Sequence, residues 1–247
     1  MFFSFQFRFK NYSADAAFTF TDSAITATGE SSGYEIDGTH ITIEASGTYL
    51  LSGECSDNGS AENAVIKCKD GSQVTICGTG TLNITANGKN GIKSVATTDE
   101  EGEASLIIKE LTLNISAPVN DAINAQQLLS IESGTLSIAA GDDAVHSDLV
   151  LNIGSEGTEG PMISIAECCE GLEASELNVL SGDITILSSD DCMNAANSDL
   201  GNYDFVINIS GGTQPGARPG GNMGDMQPPS GEPGGQKPDG EPPAKPE

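Results

Sequence analysis

The chain has 247 residues, of which 36 are Asp or Glu and 10 are Lys or Arg, and its formal net charge at pH 7 is -26. This charge excludes nucleic acid as a partner, because phosphates require a basic footprint, and it disfavours binding to anionic membranes. Residues 1–10 alternate Phe with polar residues; they are too short and too interrupted to insert into a membrane, and they lack the order of a secretory signal.

In chain order, composition divides the sequence into three segments. Residues 1–20 form an N-terminal segment, which could be an edge strand, and residues 21–210 form a single β domain. Residues 211–247 contain nine of the 11 prolines. Such a stretch cannot bury an apolar core, so we predict that it is a disordered tail or a linker.

Within the β domain, residues 36–53 read as the first strands and as part of an N-terminal cap. A short phrase then recurs: Asn, Asp or Glu, a small residue, and an aliphatic or Met residue. Successive copies begin 27, 31, 22, 27 and 21 residues apart. The six copies are Asn63-Ala64-Val65, Asn90-Gly91-Ile92, Asp121-Ala122-Ile123, Asp143-Ala144-Val145, Glu170-Gly171-Leu172 and Asp191-Cys192-Met193. A fixed phrase at a period just above 20 residues predicts a solenoid.

The phrases that accompany the repeats alternate apolar and polar residues, as in Leu136-Ser137-Ile138, which indicates strands. Gly134 and Gly182 separate such strands and permit turns that other residues resist. Two long steps contain insertions, residues 95–104 and 154–161, and removal of each insertion returns its step close to 22 residues, enough for three short strands. The sequence therefore predicts an all-β fold, a single-stranded parallel β-helix.

Stacked turns would align the acidic residues of the repeats about 5 Å apart, the spacing of neighbouring strands. The resulting repulsion is roughly 1 to 3 kcal/mol per adjacent pair. Bound Ca²⁺ would relieve it, since this ion takes six to eight oxygen ligands. The predicted calcium ligands are Asp121, Asp142, Asp143, Glu170, Asp190 and Asp191.

Turn chemistry is the alternative explanation, because Asp and Asn side chains bond the local backbone and tolerate left-handed conformations. Asn63 and Asn90 hold the repeat position without charge, which favours this alternative there, whereas Glu170 and the doubled Asp pairs fit it less well. The six cysteines lack a Cys-x-x-Cys spacing. Both disulfides and small core thiols remain open for them.

Catalytic patterns are weak. His40 and His146 are the two histidines, and His146 is expected to be an exposed strand residue. Equivalent carboxylates from a repeat are poorly suited to the two distinct pKa values that glycoside hydrolysis requires. A calcium-dependent lyase would need a base such as Lys93. We therefore expect a non-catalytic protein, with a calcium-dependent polysaccharide lyase as one alternative.

Two features carry a family resemblance: Ile41-Thr42-Ile43 with the run from Gly47 to Gly53, and the repeats around Asp121, Asp143 and Asp191. Together they resemble a family of bacterial carbohydrate-binding domains. The resemblance covers roughly residues 20 to 210. It implies a right-handed parallel β-helix similar to that of pectate lyases, an association with calcium, and binding of cellulose or acidic sugars without cleavage.

The chain departs from this family in having few residues between Gly53 and Asn63. Residues 55–200 also contain no Phe, Tyr or Trp, which disfavours stacking on crystalline cellulose and favours acidic sugars bridged by calcium. We thus expect an extracellular or surface-attached polysaccharide-binding protein with a calcium cofactor. A structural or adhesive surface protein is the second alternative.

Overall fold

The computed structural model describes residues 9–10, 15–20, 34–37, 40–45, 48–53, 63–69, 71–98, 102–198, 200 and 203–212. These residues form an all-β structure of parallel strands without a helix. It follows that none of them belongs to a helix long and apolar enough to span a bilayer. The tail predicted for residues 211–247 lies outside the described residues, apart from Gly211 and Gly212.

Twenty strands are formed by the described residues. In chain order they are β1 Phe9–Lys10, β2 Asp15–Phe20, β3 Tyr34–Asp37, β4 His40–Ala45, β5 Thr48–Gly53, β6 Ala64–Lys69, β7 Gln73–Cys77, β8 Thr81–Ala86, β9 Asn90–Ser94, β10 Ser105–Ile108, β11 Thr112–Ala117, β12 Ile123–Ala125, β13 Leu128–Ile131, β14 Thr135–Ala140, β15 Val145–Ile153, β16 Met162–Glu167, β17 Leu172–Val179, β18 Asp183–Ile186, β19 Met193–Ala195 and β20 Val206–Ile209.

Hydrogen bonding arranges these strands in three columns. The first column is β1-β3-β6-β9-β12 followed by the N-terminal parts of β15 and β17 and by β19. The second is β2-β4-β7-β10-β13 followed by the C-terminal parts of β15 and β17 and by β20. Because β15 and β17 belong to both, these columns make one 14-stranded sheet, and the third column is the separate six-stranded sheet β5-β8-β11-β14-β16-β18.

Aliphatic side chains of successive strands stack in register to form the core. In the first column Ile92 pairs with Ile123, Ile123 with Val145, and Val145 with Leu172. All four are fully buried. Burying a side chain of this size contributes about 1.5 to 3 kcal/mol, so the repeated aliphatic positions hold the layers together. The outward residues between them carry the polar chemistry.

The loops and turns between these strands follow the sequence pattern. The insertions at residues 95–104 and 154–161 connect β9 to β10 and β15 to β16, as predicted. Gly134 and Gly182 have φ values of 101° and 121°, and a Cβ at either position would press on backbone of the preceding layer. Both glycines therefore serve turns that a side chain would strain.

One repeat is displaced from the predicted alignment. The phrase equates Val65 with Ile92, but the parallel pairing sets Ile66 opposite Ile92 and Ala64 opposite Asn90. Val65 and Ile66 are both buried, so two adjacent aliphatic residues fit the core and the pattern alone did not fix the register.

Among the cysteines whose side chains are described, Cys68, Cys168, Cys169 and Cys192 form no disulfide. Cys68 is fully buried among the aliphatic residues, and burial raises the pKa of its thiol to about 12. It behaves as a small core residue, which is one of the two possibilities left open by the sequence. Cys55 lies outside the described residues.

Candidate functional site

The turns that precede the first-column strands stack the acidic repeat position. In each layer, the backbone N–H that follows this position donates to the carbonyl of the equivalent residue one layer later. The accepting residues are Asp121, Asp143, Glu170 and Asp191, at N···O distances of 3.1, 3.0, 2.9 and 2.9 Å. These four residues, with Asn90 before them, are called the acidic ladder below.

The other two predicted ligands belong to a neighbouring column. The amide of Cys169 donates to the carbonyl of Asp142 (2.8 Å), and the amide of Asp190 donates to that of Cys169 (3.0 Å). Cys169 therefore lies in the layer between Asp142 and Asp190. Asp190 and Asp191 are exposed, and neither is among the described carboxylates that converge at the centre of the ladder.

Three predicted ligands do converge. Asp121, Asp142 and Asp143 each offer a carboxylate oxygen, and these oxygens lie within 4.8 Å of one another. Asp121 is buried, and it accepts hydrogen bonds from Asn124 Nδ2 (2.7 Å) and from the backbone N–H of Asp143 (3.3 Å). These donors hold the Asp121 carboxylate in a fixed orientation. We call Asp121, Asp142 and Asp143 the carboxylate triad.

Electrostatics at the triad disfavour ionisation. Burial raises the pKa of Asp121, and the charge of Asp143 raises it further. Burial also raises the pKa of Asp142, followed by the charges of Asp143 and Glu170. Asp121 and Asp142 therefore bind protons more tightly than isolated carboxyl groups do, and a cation at the same place would favour their ionised form.

His146 is held between carboxylates. Its Nδ1 lies 3.1 Å from Asp143 Oδ2, and its Nε2 lies 2.8 Å from Asp148 Oδ1. Burial alone would lower the pKa of the imidazole, but the hydrogen bonds to Asp143 and Asp148 outweigh it and raise this pKa to about 10. His146 is therefore an imidazolium at neutral pH, with both ring nitrogens donating. This corrects the expectation of an exposed residue, since only 18% of its side chain is accessible.

Glu170 and Glu173 form a second pair of interacting groups next to His146. Burial raises the pKa of Glu173 to about 8, and a hydrogen bond to Glu170 contributes. The same hydrogen bond is the main cause that lowers the pKa of Glu170. Glu170 also accepts from Asn194 Nδ2 at 3.1 Å. The raised pKa of Glu173 and the lowered pKa of Glu170 favour a protonated Glu173 that donates to an ionised Glu170.

A positional signal for these neighbours exists in the sequence. Asn124, His146, Glu173 and Asn194 each follow their ladder residue by three positions, and parallel pairing places them side by side. The sequence pattern identified the ladder by its acidic residues alone. The position three residues after each ladder residue supplies hydrogen-bonding partners for it, and this position is polar in every one of these layers.

Two groupings of the described residues have the composition of a metal site. The triad offers only oxygen, the donor that Ca²⁺ prefers. The other grouping is Asp143, His146 and Glu173, but a doubly donating imidazolium has no lone pair for a metal. The residues present therefore fit calcium at the triad and do not fit a metal on His146 in this protonation state.

Comparison with known proteins adds one match. Residues 56–152 match the model of a family described as carbohydrate-binding domain-containing protein. The match supports a carbohydrate-binding domain. Neither a curated protein nor a solved structure matches the chain.

The segment matched to the carbohydrate-binding family contains the whole triad. It extends over Asp121, Asp142, Asp143 and His146, and Glu170 lies beyond its C-terminal limit. It also contains three complete strands of the six-stranded sheet, β8, β11 and β14. Both the triad and a large part of one outer face thus lie within the segment that matches this family.

Cationic side chains occupy the same outward column as His146. Lys67 pairs with Lys93, Lys93 with Asn124, and Asn124 with His146. Glu35 is paired with Lys67 in the preceding layer, so the two lysines follow an acidic residue in a column that continues to the edge of the triad.

Proposed function

We propose that this protein is a non-catalytic, calcium-associated polysaccharide-binding protein that acts outside the cell or on its surface. The observation that carries the proposal is the convergence of three carboxylates, Asp121, Asp142 and Asp143, within 4.8 Å. Support for the sugar comes from the family match over residues 56–152. The extracellular location rests on the family resemblance of the sequence.

The proposed architecture is a right-handed parallel β-helix. Three columns of parallel strands support it, because each strand pairs with equivalent strands of the layers before and after it. The aliphatic register Ile92, Ile123, Val145 and Leu172 is that of stacked turns. The handedness is implied by the likeness to pectate lyases and by the strong preference for right-handed crossovers between parallel strands.

Calcium is proposed at the triad because its donors are hard oxygens and because the cluster concentrates negative charge. Asp121 is oriented by Asn124, and Asp142 lies at the solvent-exposed side. Asp143 connects the triad to the His146 imidazolium. When bound, the ion would neutralise these carboxylates and offer open coordination positions to a ligand oxygen.

Acidic sugars are the proposed ligand class of this site. Their carboxylates would be repelled by a chain of net charge -26 unless a cation intervenes. Positive charge near the proposed ion comes from His146, which acts on Asp121 and Asp142, and from Lys89, which acts on Asp142. Cellulose is the other ligand implied by the family resemblance.

The absence of catalysis is proposed from the state of His146. A general base needs an unprotonated nitrogen, and both nitrogens of this imidazole face carboxylates, with a pKa of about 10. The competing lyase hypothesis requires another base, for which Lys93 is the candidate nearest along the column. A structural or adhesive role predicts calcium binding without retention of any glycan.

Affinity electrophoresis in native gels that contain polygalacturonate tests the proposal. The protein should be retarded with calcium and should migrate freely after EDTA treatment. Asp142→Asn should reduce the retardation, since it replaces an exposed carboxylate of the triad by a neutral amide, which removes one negative charge from the proposed calcium site. Asp183→Asn is the matched control. Asp183 is an exposed aspartate on β18, and its substitution removes the same negative charge.

The outcomes separate the hypotheses. Retardation that needs calcium and Asp142 supports the proposal, and retardation unaffected by EDTA would sink the role of the ion. An increase in near-ultraviolet absorbance of the polysaccharide, lost in Lys93→Ala, would establish the lyase instead. Thermal stabilisation by calcium with no retardation on any glycan would favour the structural role.

A further inference from the structure

The outer face of the six-stranded sheet is polar but uncharged over its central strands. On β8, β11 and β14 the residues that point away from the core all carry a hydroxyl or an amide, except Ala139. They are Thr81, Asn83, Thr85, Thr112, Asn114, Ser116, Thr135, Ser137 and Ala139. We call this surface the hydroxyl–amide face.

Register turns this face into columns of like groups. Asn83 pairs with Asn114, Asn114 with Ser137, and Ser137 with Ser164. Asn114 Nδ2 donates to Asn83 Oδ1 at 2.8 Å, which fixes the orientation of both amides. A shallow groove of about 340 Å³ runs across these strands, and Asn83, Asn114, Ser137 and Ser164 line it.

Charge distinguishes this face from the acidic ladder. Asp, Glu, Lys and Arg are absent from the outward positions of β8, β11 and β14, although the whole chain has 46 such residues, 36 acidic and 10 basic. A ligand here meets donors and acceptors without a strong local field. Hydroxyl groups of an uncharged sugar match such a surface, whereas a charged ligand would lose hydration without gaining a counter-charge.

We propose that the hydroxyl–amide face binds an uncharged polysaccharide chain, which runs across the strands and bonds successive rows of the Asn83–Asn114–Ser137–Ser164 column. The rows recur about every 4.8 Å, comparable to the length of one sugar ring. All of β8, β11 and β14 lies inside the segment that matches the carbohydrate-binding family. The inference rests on the proposed function, to which it adds a second surface, separate from the acidic site, for the uncharged ligand.

The same gel method tests this face with two polymers. Hydroxyethylcellulose serves as the uncharged probe and polygalacturonate as the acidic probe, each with calcium and with EDTA. Asn114→Ala removes an amide from the face, and Ser137→Lys blocks the groove at an exposed position. Asn178→Ala is the control, because it removes an amide that donates to Asn152 Oδ1 (3.0 Å) and to Glu176 Oε1 (2.8 Å) in a column of the other sheet.

The expected result is that Asn114→Ala and Ser137→Lys weaken retardation by hydroxyethylcellulose on the order of tenfold, the effect of losing one or two hydrogen bonds. Retention on polygalacturonate and the behaviour of Asn178→Ala should be unchanged. Unaltered retardation of both face variants by hydroxyethylcellulose would overturn the inference.

The two proposals fail in different ways. If the wild-type protein is retarded by polygalacturonate alone, the hydroxyl–amide face has no such role and the proposed function stands. If neither polymer retards the wild-type protein, the proposed function fails and this inference with it. Ser137→Lys, which changes an exposed side chain, keeps the test decisive if Asn114→Ala does not fold.

Discussion

His146 and Glu173 lie opposite each other in the parallel pairing of β15 with β17, and the imidazole Nδ1 is 3.9 Å from Glu173 Oε2. The pKa values of both groups are raised, that of His146 to about 10 and that of Glu173 to about 8. Folding therefore makes each group hold its proton more tightly. Their contributions to stability depend on pH in the same direction.

Stability should fall as pH rises from about 5 to about 9. A group whose pKa is raised by folding contributes most below its unfolded value and loses that contribution as pH approaches its folded value. The contribution of Glu173 is lost between pH 4.5 and about 8, and that of His146 between pH 6.5 and about 10. Urea unfolding in EDTA, measured across this range, checks the prediction, and a stability maximum at pH 9 would contradict it.

Replacing His146 should remove the upper part of this pH dependence. His146→Gln keeps a polar side chain but loses the charge that compensates Asp143 and Asp148. We expect a loss of roughly 1 to 3 kcal/mol at pH 7, typical for hydrogen bonds to charged groups, and a smaller loss near pH 10. Urea midpoints at both pH values test it, and an equal loss at both would show that the charge is not the cause.

Glu173→Gln should increase stability at high pH, whereas His146→Gln decreases it. The amide can donate to Glu170 at every pH, as the protonated carboxyl of Glu173 does below about pH 8. Stability at pH 5 should change little, while at pH 9 the melting temperature should rise by about 2 °C or more. Glu156→Gln, at an exposed loop residue, is the control. A decrease in the melting temperature at pH 9 would show instead that ionised Glu173 stabilises the fold as the ion-pair partner of His146.

The sequence was sufficient for the repeated strands and for the stacking of the acidic ladder, because alternating aliphatic residues must be buried and parallel layers then align equivalent turns. It failed at Asn63, where Val65 and Ile66 both fit the core and only the hydrogen-bonded register decides between them. It also failed at His146. Its position three residues after Asp143 repeats along the ladder, but its burial depends on Asp148, two residues later on the same strand, and on Glu173, which the pairing of β15 with β17 brings opposite it.

The stacked aliphatic core should show graded losses at Ile123. This residue is fully buried and lies between Ile92 and Val145 in register. Ile123→Val should cost about 0.5 to 1.5 kcal/mol and Ile123→Ala about 2 to 5 kcal/mol, because the larger deletion leaves a cavity. Met162→Ala, at a side chain that is 59% exposed, should stay within about 0.5 kcal/mol. Equal losses at both sites in urea unfolding would be inconsistent with this core.

Gln127 should anchor the loop at residues 95–104. Its buried amide accepts from the backbone N–H groups of Glu103 and Ala104, both at 2.9 Å, and donates to the carbonyl of Thr98 at 3.0 Å. Gln127→Met fills a similar volume but leaves these backbone groups without their hydrogen-bond partner. We expect the free energy of unfolding to fall by about 2 to 4 kcal/mol. A Glu-specific protease should also cleave faster after Glu103.

Gln126→Met is the matched control for this anchor, since Gln126 accepts one backbone hydrogen bond, from Ala96 at 2.7 Å, and is less buried. It should cost about 1 kcal/mol and increase cleavage after Glu103 much less. The two effects of Gln127→Met are separable, because local opening of the loop accelerates proteolysis even where global stability is high. Unchanged cleavage in Gln127→Met would mean that the side chain of Glu103, which accepts from the backbone amides of Thr97 and Thr98, holds the loop without Gln127.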